Sequence, residues 1–254
     1  MKYHINLDKG KIENSRLAIL PGDPGRVPLI MELLDAPNKL ASNREYVSGL
    51  GYSKGAPILV ISTGIGGPST SICVDELAQL GVDHFIRVGT TGAINKNVLA
   101  GDLIITTGSV RLDGASRDFA PIEYPAVADF FVTKALEKAA LQLDVRHHIG
   151  ITVSTDTFYQ AQERHNGFSS FLLPKHHNST ERWRKLNALN YEMESSVLFT
   201  MCASFGLKAG CVSGVITERG NGENIDLPGL VSTQKMAAEV AVIAAKAIES
   251  NFEK

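Results

Sequence analysis

Six short apolar runs rich in β-branched residues constrain this chain more than any other feature: Leu17 to Leu20, Ile58 to Thr63, His84 to Val88, Leu103 to Thr107, Ile149 to Ser154 and Cys211 to Ile216. Each has the length and composition of a buried strand. Between several of them lie helical patterns. Cys73, Leu77 and Leu80 share one face, closed by Gly81, and Val132, Leu136, Ala140 and Leu143 share another. Two more helices are expected through Glu192 to Ser204 and Ser232 to Ser250. Such alternation predicts an α/β fold around a parallel or mixed sheet. With 254 residues, 44% of them hydrophobic, and neither linker nor repeat, residues 1–254 form one domain that can bury a core without disulfides or metals. Residues 166–185 (NGFSSFLLPKHHNSTERWRK) mix turn formers, charges and exposed aromatics without a period, and read as a surface insertion or lid.

A formal net charge of -2 with scattered basic residues excludes the polyelectrolyte attraction behind nucleic-acid or anionic-membrane binding, leaving a small ligand. Cys73, Cys202 and Cys211 sit among apolar neighbours in no CxxC spacing, as buried reduced thiols do. The start of the chain lacks an apolar signal core, and the most apolar helical stretch, Met236 to Ile248, is broken by Glu239 and Lys246; a cytoplasmic protein is expected.

After the first strand, Pro21-Gly-Asp-Pro-Gly-Arg26 is a turn in which glycine permits close backbone approach and Arg26 stands where a helix begins. Backbone amides plus a guanidinium could hold a phosphate there; a proline-glycine turn with a solvated arginine is the plain alternative. Strand alternation puts Arg87 and Phe85 on one face, opposite Ile86 and Val88, so Arg87 points into a buried layer. Either an internal carboxylate satisfies it or an anionic ligand does, and the Gly-Thr-Thr-Gly turn beyond it supplies hydroxyls and amides. Thr63-Gly-Ile-Gly-Gly-Pro-Ser69 invites a dinucleotide-binding reading but lacks the third glycine, and Asp83 opens the next strand where a ribose-binding acid should close it.

Glu192 and Glu194 lie two apart at the start of a helix and cannot share a face, so one can be a first-turn charge while the other reaches a ligand, such as the vicinal diol of a ribose. The pairs His147-His148 and His176-His177 lack the partners a metal site needs and read as solvent-exposed. By composition alone Phe158-Tyr-Gln-Ala-Gln-Glu-Arg164 is a polar loop after a strand.

Taken in order, Pro21 to Arg26, Ser62 to Ser69, Arg87 to Ala93, Val110 to Ser116 (VRLDGAS), Phe158 to Arg164 and Asn190 to Ser195 resemble, nearly end to end, the nucleoside phosphorylase-I family, and within it the members that cleave uridine. The resemblance implies one α/β domain around a mixed, partly barrel-like sheet, assembled as a hexamer of three dimers. It implies reversible phosphorolysis of uridine to uracil and ribose 1-phosphate, with inorganic phosphate as co-substrate and no cofactor. Carried over position by position, Gly22, Arg26, Arg87 and Thr90 would bind phosphate, with Arg44 reaching into a neighbouring subunit's site. Thr90, Met193 and Glu194 would hold ribose, Glu194 at the 2' and 3' hydroxyls, and His4 of the neighbour would approach the 5' hydroxyl.

Phe158, Gln162, Arg164 and Ile216 would surround the base. If that loop is extended, Gln162 and Arg164 project the same way, an amide for uracil O2 and N3-H and a guanidinium for O4. The catalytic group would be Arg164, Arg87 and Glu194, and some relatives bind a structural potassium at positions matching Glu45, Ile65 and Ser69. Ala161 replaces a usual family glycine; Thr217 to Asn224 reads as a mobile lid from which Arg219 approaches O4 through water. A purine nucleoside phosphorylase on the same fold, a nucleosidase using water, and a non-catalytic nucleoside-binding protein are the competing expectations.

Overall fold

The structure, a computed structural model, describes residues 1–219 and 227–252, apart from the side chains of residues 227 and 228. All six apolar runs are strands: β1 (Leu17–Pro21), β4 (Ala56–Ile61), β5 (His84–Ala93), β6 (Leu103–Leu112), β8 (His147–Thr155) and β10 (Lys208–Glu218). Four strands without that signature join them: β2 (Asp35–Asn43), β3 (Tyr46–Ser53), β7 (Ala126–Val127) and β9 (Asn190–Glu192).

Among the described residues β5, β10, β6, β8 and β9 close into a ring of five. Parallel pairs join β5 to β10, β6 to β8 and β8 to β9, while β6 with β10 and β5 with β9 run antiparallel. Beyond β5 the sheet opens out through β1, β4, β3 and β2, so it is mixed and partly barrel-like, as the resemblance implies.

Among the described residues six α-helices cover it: α1 (Arg26–Met31), α2 (Gly67–Leu80), α3 (Phe130–Gln142), α4 (Ser179–Lys185), α5 (Ser195–Phe205) and α6 (Leu227–Glu249). The larger of the core clusters set Ile86, Val88, Ile105 and Val212 against α3 and α6, and Leu20, Leu59 and Phe85 against α2 and α5. At Gly210 a Cβ would lie 2.5 Å from Val132 Cγ1, so α3 packs directly on the β10 backbone. No described helix is long and apolar enough to cross a membrane.

Four expectations need correction. The helix anticipated from Glu192 starts at Ser195, because Asn190–Glu192 is held extended as β9 between β5 and β8. The Gly-Thr-Thr-Gly stretch after Arg87 is not a turn: β5 continues through it, paired residue by residue with Ser213 to Val215 of β10. Ile149 and Ile151 on β8 are 42% and 40% exposed, facing outward from the ring, so only part of that strand is buried. His147 and His148 are half-buried, His148 Nε2 lying 2.8 Å from Asp102 on the loop before β6. The cysteines are as expected: all three thiols are buried, and burial pushes Cys211 up to about 11.

Candidate active site

Seven chain segments meet at one cavity of about 550 Å3: the turn after β1, the turn between β2 and β3, the loop after β4, β5 from Arg87 to Gly92, the loop after β8, the β9 to α5 junction and the end of β10. Of the expected site residues, Gly22, Arg26, Arg87, Thr90, Phe158, Gln162, Arg164, Met193, Glu194 and Ile216 line it, together with Glu45 and Ile65. A hollow of about 660 Å3 between α3, α6 and the starts of β1 and β5 contains none of them. Its size does not make it the site.

The electrostatics centre on Arg87. Its Nε donates to Glu192 Oε2 at 3.1 Å and its Nη2 to Glu194 Oε2, so internal carboxylates satisfy two of its three nitrogens. Burial pushes this guanidinium's pKa down, but Glu194 and Glu192 more than offset it and hold Arg87 charged. Burial also lowers Arg26, helped by the like charge of Arg87. Among the described residues, Arg87 Nη1 and Arg26 Nε and Nη1 are buried nitrogens with no hydrogen-bond partner. Both guanidiniums converge on Gly22, where a Cβ would stand 3.7 Å from Arg87 Nη1 and 4.0 Å from Arg26 Nη2. Unpaired cationic donors around a bare backbone are the chemistry of an oxyanion site.

The two glutamates precede α5, so helical spacing does not separate them: both reach Arg87, and they differ in their remaining partners. Glu192 accepts from the amides of Glu194 and Ser195 at 2.9 and 2.8 Å and from Ser195 Oγ at 2.6 Å, serving the start of α5 while it braces Arg87. Glu194 enters the cavity, with Oε1 accepting from the Gly66 amide at 2.6 Å. Burial, then the charge of Glu192, drives its carboxyl upward against the pull of Arg87. Gly66 sits at φ 93°, a left-handed conformation suited to glycine, which gives one glycine of that motif a backbone role.

The loop after β8 is not extended, so strand alternation does not place its side chains. Glu163 stands at φ 53°, the Arg164 amide donates to Tyr159 O at 2.8 Å and the Ala161 amide to Thr157 Oγ1 at 3.0 Å: a compact turn. Gln162 and Arg164 still both reach the cavity, through the left-handed residue between them. Gln162 Nε2 donates to Thr155 Oγ1 at 3.2 Å, and the Arg164 guanidinium lies 3.9 Å over the Phe158 ring.

His4 and Arg44 do not line the cavity. They sit together at the surface, with Arg44 stacked 5.8 Å over Tyr3 and Asn43 Nδ2 donating to His4 O at 2.7 Å. Ser69 is also outside the lining, its hydroxyl 3.2 Å from Ile65 O. Residues 220–224 of the anticipated lid lie outside the described residues, while Thr217 and Glu218 are the end of β10. Sequence reasoning missed Asp23, Gly64, Tyr191 and Thr217 in the lining. Arg219, assigned to a water-bridged approach to the base, donates Nη2 to Gln162 O at 2.7 Å and so fixes the loop itself.

Buried guanidinium nitrogens of Arg26 and Arg87 that lack partners among the described residues share one cavity of this mixed α/β ring with the polar side chains of Gln162 and Arg164. The Phosphorylase superfamily model matches residues 16–250, and the chain belongs to that family. It is 51% identical over 248 residues to a uridine phosphorylase of Haemophilus influenzae, covering 98% of each chain. It is 49% identical over 244 residues to a uridine phosphorylase of Escherichia coli strain K12, covering 96% of each. A guanosine phosphorylase of Halorubrum lacusprofundi is 35% identical over 212 residues, or 84% of this chain and 81% of that one.

Proposed function

We propose that this chain catalyses the reversible phosphorolysis of uridine to uracil and ribose 1-phosphate, as a cytoplasmic enzyme of pyrimidine salvage. The observation that carries the reading is the set of unpartnered Arg26 and Arg87 nitrogens converging on Gly22, in the same cavity as Gln162 and Arg164. Phosphate takes those donors and the Thr90 hydroxyl. Ribose lies over Met193, its 2' and 3' hydroxyls on Glu194, and uracil presents its polar edge to Gln162 and Arg164 beside Phe158 and Ile216.

As the bond between C1' and N1 lengthens, the sugar gains oxocarbenium character and the electron pair moves onto uracil. Arg164 stabilises the charge arriving at O4, and a phosphate oxygen then forms the new bond to C1' with inversion. Preorganised donors of this kind are commonly worth about 3 to 4 kcal/mol each in the transition state. No cofactor enters this scheme.

Arg44 and His4 complete the phosphate and 5'-hydroxyl contacts in the site of a neighbouring copy, within a hexamer of three dimers. Their surface position beside Tyr3 suits that role, and Ile122, Val127 and Ile151, exposed around one shallow hollow, offer apolar surface for contact between copies. Glu45, Ile65 O and Ser69 offer only oxygen donors, Ser69 Oγ lying next to Ile65 O, a set suited to a hard cation such as structural potassium. The chemistry does not pass through it.

Purine specificity is disfavoured because Glu218, which stands near where purine-specific relatives place an aspartate, turns away to accept from the Ala100 amide at 3.1 Å. Incubation of the chain with uridine, then with phosphate omitted, and then with inosine tests the reading. Uracil release only with uridine plus phosphate is expected. Release without phosphate would make it a hydrolase, preference for inosine a purine enzyme, and no release a binding protein.

A further inference from the structure

Glu163 lies between the two residues assigned to the base edge, yet its own side chain leaves the cavity. Its carboxylate accepts from the amides of Asn178 and Thr180, the latter at 2.8 Å, and from Ser179 Oγ at 3.4 Å. Asn178 precedes α4 at φ 55° and offers that helix no side-chain cap of its own, so the free amides at its start are satisfied by a residue 15 to 17 positions earlier. The far end of α4 is tied to the ring: Arg184 Nε donates to Ile94 O at 2.6 Å, just beyond β5. Trp183 packs with Ile94, Val153 and Tyr191, and Tyr191 lines the cavity. On the other flank of the loop, Arg219 Nη2 donates to the carbonyls of Gln162 and Glu163 at 2.7 and 3.5 Å.

We propose that Glu163 is a positioning residue for base recognition, and that α4, inside the segment read from sequence as a surface insertion, is the brace that fixes Gln162 and Arg164 in register with the nucleobase. This rests on the assignment of Gln162 and Arg164 to uracil. The geometry gives the role its direction. A residue at φ 53° swings the chain so that its two neighbours face the cavity, and it keeps that orientation because its carboxylate is anchored 15 or more residues away. Loss of the anchor leaves the phosphate cradle, on different segments, untouched.

Glu163→Gly and Glu163→Gln separate the possibilities. Glycine adopts a left-handed backbone freely, so it removes the carboxylate without straining the turn. Glutamine keeps the side-chain length but replaces one acceptor with a donor, which faces either the Asn178 or the Thr180 amide. Trp183 is the one tryptophan of the chain, and its fluorescence reports α4 directly during titration with uracil or phosphate.

Both variants are expected to raise the uridine KM and the uracil dissociation constant on the order of 10-fold, leaving the phosphate KM within about twofold, the signature of binding weakened at one subsite only. The uracil-dependent change in Trp183 fluorescence should disappear in both. Arg184→Ala, which releases the other end of the brace, should give the same pattern, and it decides the matter if the Glu163 variants fail to fold.

Unchanged uridine KM in folded variants would overturn the proposal, as would parallel rises for uridine and phosphate, which mark general damage. Restoration of normal uridine KM by glycine but not by glutamine would assign the effect to backbone strain and overturn it too. A parent chain that leaves uridine intact with phosphate present would overturn the functional reading itself, and this inference with it.

Discussion

Arg87 is a buried charge that the fold has satisfied on two of its three nitrogens. Glu192 and Glu194 take Nε and Nη2, and Nη1 is left toward Gly22 beside the equally unpaired nitrogens of Arg26. Full internal pairing would leave no reason for a ligand, and no pairing at all would make the burial prohibitive. Arg164 has the contrasting position, stacked on Phe158 in the loop after β8. Arg164→Ala should therefore lower the rate of the chemical step by about 100-fold to 1000-fold, the scale of one missing transition-state donor, while phosphate affinity stays nearly constant. Single-turnover rates and phosphate KM check this, and equal losses in both would remove Arg164 from leaving-group stabilisation. Glu194→Gln should impair ribosides more than 2'-deoxyribosides, because only the former present the 2' hydroxyl to it. Comparison of kcat/KM for uridine and deoxyuridine tests it, and a flat response would detach Glu194 from that hydroxyl.

Elements differ in how plainly the sequence announces them. Strands walled in on both faces, such as β1 and β4, must be continuous apolar runs, and they are legible as such. Strand β2 is not, since Asp35, Pro37, Asn38 and Lys39 face solvent at the sheet edge. Strand β3 is hidden by Gly49 and Gly51, where Met31 and Leu34 fill the space a Cβ would need. Strand β9 is three residues long and exists only because β5 and β8 hold it from both sides.

The site shows the same division. Arg87 can be placed by alternation, but the convergence of Gln162 and Arg164 depends on one left-handed residue whose anchor lies in α4, a long-range fact no local pattern carries. Close helix-to-strand packing is equally nonlocal. Gly210→Ala would put a Cβ 2.5 Å from Val132 Cγ1 and 3.1 Å from Leu136 Cδ1, separating α3 from β10. Destabilisation of about 1 to 3 kcal/mol is expected, read from the urea midpoint at unchanged slope. An unaltered midpoint would show that α3 can shift without cost.

At the scale of the whole molecule, the sheet gathers residues from Gly22 to Thr217 around one cavity, and Glu76 of α2 fastens the N-terminal segment. That carboxylate accepts from the amides of His4 and Ile5 and lies 2.7 Å from His4 Nδ1. Burial alone would raise its pKa, but these donors outweigh burial and hold it below the ordinary value of 4.5. A depressed carboxyl stabilises the fold fully above that ordinary value and loses its contribution as pH falls through the lower folded value. Glu76→Gln should therefore cost stability at neutral pH, with the difference from the parent shrinking below pH 4.5; denaturation across that range checks it, and a constant difference would refute the linkage.

The central claim is that one cavity holds an oxyanion on Arg26 and Arg87 and a pyrimidine edge on Gln162 and Arg164. A crystal structure of the complex with uracil and ribose 1-phosphate tests it most directly. The account predicts the phosphate group against Gly22 and both guanidiniums, and uracil O4 at Arg164. Uracil bound elsewhere, or a phosphate group remote from Arg87, would contradict it.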